Sequence, residues 1–144
     1  MYRKLTIPND VFFEQIQVYL SAGKSVSFFV KGHSMRPFIY EGDKVTVKAI
    51  PIAELKNGMI ALAHADQGYV LHRVVGIRPD SISLAGDGNL SQVELIENTK
   101  LMGVVQKAFR GDIELSVCTN SSRVKGLMWY YVRPIRRIFK KIKK

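Results

Sequence analysis

The sequence predicts a mainly β, β-rich α+β fold: a curled antiparallel sheet or partly open barrel, with a helix at either end. Three observations predict it. Short β-branched and aromatic runs recur, with Gly-, Asn- or Asp-containing turns about every 8–12 residues. Helical periodicity near the N-terminus is confined to about residues 10–22. A second helical stripe falls in residues 123–144, where the chain turns strongly basic. The 144 residues, 47% hydrophobic and 24% charged, suit one domain over 1–122 followed by this tail.

Taken in order, Asn9 or Asp10 can cap a helix through VFFEQIQVYLSAG, with Phe13, Ile16, Gln17 and Leu20 along one face and Gly23 at its end. SVSFFVKG reads as a strand closing at Gly32, and DKVTVKAI alternates with the period of a half-buried strand. GMIALAH and YVLHRVVGI, joined across ADQG, form a hairpin. SISLAGDGN is a short strand ended by a glycine-rich turn, and LMGVVQKAFRG and DIELSVC complete a β core over about 25–118. Cys118, in the last of these runs, reads as a small buried hydrophobe, and one cysteine forms no intrachain disulfide.

The net charge of +10 is uneven. Nine of the 22 Lys and Arg residues lie between Arg123 and Lys144 with no acid among them, so residues 1–122 are close to neutral. There, Val124, Leu127, Met128, Tyr131, Ile135, Ile138, Phe139 and Ile142 form an apolar stripe that Pro134 must kink or restart. The expected partner is an anionic membrane surface, with Trp129 at headgroup level and Arg133, Arg136, Arg137, Lys140 and Lys141 on its phosphates. Nucleic acid is the lesser candidate, and a helix packed on the body with a solvated basic end is the plain one. No stretch reaches the ~18 apolar residues of a spanning helix. MYRKLTIPND lacks the apolar core of a leader, so the chain reads as cytoplasmic, peripheral at most on the inner face of a membrane.

The chemistry centres on VKGHSMRPFIYEGDKVTV, residues 30–47. Ser34 there is either a turn residue or a nucleophile, and a nucleophile needs an oriented base. His33 adjoins it, but adjacent extended residues point to opposite faces. His64 lies at a strand end beside a turn, and His72 sits mid-strand in YVLHRVVGI. Asp87 in AGDGN is the acid candidate, although an aspartate between glycines is also ordinary turn chemistry; Asp43 in EGDK reads as a turn residue. No paired-cysteine metal spacing and no Gly-rich phosphate loop appear, so no metal or cofactor is expected.

GHSMRPFIYEGDKVTV resembles the nucleophile box of the signal peptidase and LexA-type serine peptidases, with Gly32, Ser34, Met35, Pro37, Gly42, Asp43 and Val45 in place. GMIALAHADQGYVLHRVVGI is similar to their second box, and LAGDGN to the G-D-N box that follows. The resemblance implies a single peptidase-like domain of β-rich fold in which Ser34 attacks a peptide carbonyl, with Gly32, Met35 and Pro37 shaping its loop. Most relatives use a lysine as base. Here His72, before Arg73, stands at that position, as in the serine–histidine branch of archaea and the endoplasmic reticulum. The resemblance also makes Asp87 the residue that orients His72, and puts a further aspartate six residues on, where this chain has Val93. Histidine is well matched to the role of base, since with an ordinary pKa of about 6.5 it is largely neutral at pH 7. The Ser34 N–H would be one oxyanion donor; the serine that adds a second in bacterial relatives is replaced by Gly32.

The expected function is therefore a serine endopeptidase acting on an extended peptide. A silent peptide-binding module of the same fold and a self-cleaving cytosolic regulator are the alternatives.

Overall fold

The computed structural model describes residues 9–66 and 68–142. The segment MYRKLTIP, the capping side chains of Asn9 and Asp10, Gln67 of the hairpin turn, and Lys143 and Lys144 lie outside the described residues. Helix α1 spans Asn9–Ser21. Eight strands follow among the described residues: β1 Val26–Phe29, β2 Lys44–Lys48, β3 Ile60–Ala65, β4 Gly68–Ile77, β5 Ser81–Ala85, β6 Glu94–Glu97, β7 Leu101–Arg110 and β8 Ile113–Leu115. Helices α2, Asn120–Tyr131, and α3, Arg133–Ile142, end the described chain.

The strands form one curled, half-barrel sheet in the order β1-β2-β7-β3-β4-β5-β6, with β8 added beside β7. Every pairing is antiparallel. The β3–β4 hairpin sets Ala61 opposite His72 and Ile60 opposite Arg73. β3 is apolar almost throughout because both faces are buried: Ile60 and Leu62 join α1, β1 and β2 in one core cluster, while Ala61, Ala63 and Ala65 join Val74, Ile82 and Leu84 in another. Phe13 and Ile16 of α1 seal the first cluster, Phe13 meeting Phe28 edge-on and Tyr69 in a stack.

Two departures from the sequence reading matter. β6 is absent from that reading: it is four residues long, with a glutamate at either end, too short and too charged for an alternation signal. Cys118 lies beyond β8 and is exposed rather than buried, although its sulfur donates to the Val105 carbonyl. The tail restarts rather than bends, with α2 closing at Val132 before Pro134. Thr119 opens α2 as its cap, its hydroxyl accepting from the Ser122 N–H at 3.1 Å.

Candidate active site

The site begins at the loop between β1 and β2. Gly32 and Gly42 both adopt positive φ, +84° and +91°, where a side chain would be strained. Met35 and Ile39 plug the loop into the first core cluster, and Ile39 N–H donates to the Met35 carbonyl. Asp43 closes it. Asp43 is buried, accepts from the Tyr40 N–H and takes a two-pronged bond from Arg110, with both N–O distances 2.9 Å. Burial alone would raise its pKa, but Arg110 and the Tyr40 N–H hold the carboxyl below the ordinary range. The turn residue read from the sequence is thus also the loop's anchor. Ser34 is left at the loop's partly exposed crest, beside the buried Met35.

The Gly86-Asp87-Gly88-Asn89 turn after β5 is laid against this crest. Gly88 N–H donates to the Ser34 carbonyl at 2.8 Å. The glycines are there for clearance. A Cβ on Gly88 would sit 2.8 Å from the His33 carbonyl oxygen. A Cβ on Gly86 would sit 2.7 Å from the Ser34 carbonyl oxygen, 2.9 Å from Asn89 Nδ2 and 3.0 Å from His72 Nε2. The serine loop, the histidine ring and the Asn89 amide therefore converge on one gap that only glycine leaves open.

His72 is buried in β4, and its other nitrogen is committed: Nδ1 lies 2.6 Å from Oε1 of Glu94, at the start of β6. With Nδ1 turned to Glu94, Nε2 faces the gap beside Ser34. No hydrogen bond engages the Ser34 hydroxyl or its N–H among the described residues.

Asp87 does not fill the role expected of it. Both its oxygens are taken by Arg73, at 2.8 Å from Nε and 2.7 Å from Nη2, in a buried ion pair. Arg73 follows His72 in β4 and so projects to the opposite face. It also donates to the Gly58 carbonyl, lies over the Phe38 ring and abuts α2 at Gly126. The pair thus ties β4, the glycine turn, the serine loop and α2 together. Burial pushes the Asp87 carboxyl up, against the pull of Arg73. Glu94 escapes the sequence reading, one residue past Val93, which is itself exposed. His33 is exposed in its loop, and His64 is exposed and stacked on Tyr69, leaving His72 as the histidine at the gap.

The tail residues also face otherwise than expected. Trp129 Nε1 and Arg136 Nη2 both donate to the Asp87 carbonyl, at 2.8 and 2.7 Å. Arg133 is buried and reaches the Gln92 carbonyl, and Arg137 reaches that of Leu90. Backbone carbonyls of the 86–92 segment, which lies outside the strands, draw these guanidinium groups inward. Lys140 and Lys141 remain exposed.

A curled antiparallel sheet of this kind agrees with a comparison against family models: Peptidase S24-like matches residues 3–106. The chain belongs to the Peptidase S24-like family. No curated protein matches it. The S24-like region contains Ser34, His72, Asp87 and Glu94 with all the loops around them, and it ends before α2 and α3. A serine peptidase or a close relative of one, acting on peptide or protein, is what membership of the S24-like family supports. No helix among the described residues is long and apolar enough to cross a membrane.

Proposed function

We propose that the protein is a serine endopeptidase of the signal-peptidase-like, serine–histidine kind. Ser34 is the nucleophile, His72 the general base and Glu94 the residue that orients it. The observation that carries this reading is the His72 Nδ1–Glu94 bond, because it orients the ring with Nε2 toward the gap beside Ser34.

In the first step His72 Nε2 takes the Ser34 hydroxyl proton as Oγ bonds to the carbonyl carbon of an extended peptide. The oxyanion is held by the Ser34 N–H. Collapse breaks the C–N bond, His72 gives its proton to the departing amine, and an acyl ester on Ser34 remains. Water, deprotonated by His72, releases the acid and restores the hydroxyl. Glu94 holds Nδ1 and stabilises the imidazolium formed on the way.

The free Ser34 hydroxyl favours one rival, the silent peptide-binding module. Cleavage of unfolded protein substrates, followed by mass spectrometry, separates the two. Wild type should cut and Ser34→Ala should not. Equal cutting by both would remove Ser34 from the reaction, and peptide binding without cutting by either would support the module.

A further inference from the structure

Helix α3 is amphipathic in the sense opposite to that of a helix packed on a globular body. Its three arginines reach back to the body, Arg133, Arg136 and Arg137 all donating to backbone carbonyls of the protein, while Lys140 and Lys141 stay exposed. Its apolar side chains turn outward: Ile135, Ile138, Phe139 and Ile142 are each more than half exposed. The helix cannot roll this stripe onto the body without breaking those guanidinium–carbonyl bonds, so its rotation is fixed. On α2, Met128 and Tyr131 are left equally exposed. A monomer in water gains nothing from such a face.

Charge decides what covers it. A second copy would bring another nine basic residues and no acid from 123–144 against the first, and the two would repel. Nucleic acid would meet the charge and leave the apolar stripe wet. Beside the stripe, a cleft of about 500 Å³ opens between α3 and the 88–92 segment, with Arg137, Lys140 and Lys141 on one wall and no acid in its lining. Cationic groups flanking an outward apolar stripe match the headgroups and acyl boundary of an anionic bilayer.

We infer that α3 docks the protein on anionic phospholipid, the stripe lying in the interface and the basic cleft taking headgroup phosphate. The arginines that fix α3 also hold the turn beside Ser34, so docking would bring the Ser34–His72 gap to a set position near the bilayer. Docking is independent of whether Ser34 cuts.

The test is co-sedimentation of the full chain with vesicles of phosphatidylcholine, with and without phosphatidylglycerol. Ile138→Glu/Phe139→Glu and Lys140→Glu/Lys141→Glu alter only exposed positions, and circular dichroism checks their folding. The wild type should bind the anionic vesicles at least tenfold more tightly than the neutral ones, and more tightly than either folded variant by a similar factor. Equal binding by wild type and the Ile138→Glu/Phe139→Glu variant would overturn the proposal, as would no wild-type binding. Duplex DNA binding that the same variant retains, with no vesicle binding, would assign the tail to nucleic acid. Self-association that the variant abolishes in sedimentation velocity would assign the stripe to a second copy.

Discussion

His72 Nδ1 lies 2.6 Å from Glu94 Oε1, the two residues standing on β4 and β6 with β5 between them. Glu94→Ala should therefore lower kcat by about 10²–10⁴-fold with KM little changed, because the imidazole loses its preferred tautomer and orientation. Steady-state kinetics on a cleaved peptide measures this. A change confined to KM would give Glu94 a binding role instead.

Asp87 should behave differently. Asp87→Ala strands the buried Arg73 guanidinium, which costs about 3–5 kcal/mol. The variant should unfold at markedly lower urea, whereas Glu94→Ala should shift the midpoint far less. Matching midpoints for the two would contradict the separation of roles.

Gly86→Ala tests the convergence at the gap. Its methyl would fall 2.7 Å from the Ser34 carbonyl oxygen, so the serine loop and His72 must move apart. Displacements of about 1 Å cost catalysts on the order of 10²-fold. Activity should fall by about that factor while the circular dichroism spectrum is kept, and unchanged activity would place the gap elsewhere.

Much of this arrangement is legible in the chain, and the reasons for the exceptions are physical. The serine loop is a local object: Gly32, Met35, Gly42 and Asp43 act within a dozen residues, so their spacing carries the signal. The hairpin that presents His72 is equally local. Which carboxylate serves His72 is not, because it depends on how β5 and β6 align 22 residues away, and β6 has no pattern of its own. Asp87 could pair with His72 or with its neighbour Arg73, whose side chains lie on opposite faces, and only the folded sheet chooses between them. In the tail, the apolar stripe is visible in the sequence. The inward turn of its arginines is not, since their acceptors are carbonyls 41, 49 and 47 residues earlier.

Asp43 makes the stability pH-dependent. Its folded pKa is below that of the unfolded chain, so its contribution is present above the ordinary value of about 3.9 and is lost as pH falls through the folded one. Asp87, raised by burial, acts in the opposite sense, favouring the fold at lower pH. Comparing variants isolates the first. Between pH 6 and pH 3 the wild type should lose more melting temperature than Asp43→Asn, and parallel curves would remove Asp43 as a contributor.

Activation of Ser34 by His72 is tested most directly by labelling with a serine-reactive fluorophosphonate, read by peptide mass mapping. A single adduct should form on Ser34 in the wild type, be absent in Ser34→Ala, and form at least about a hundredfold more slowly in folded His72→Ala. Failure of the wild type to label, or equal labelling rates with and without His72, would contradict a Ser34 nucleophile activated by His72.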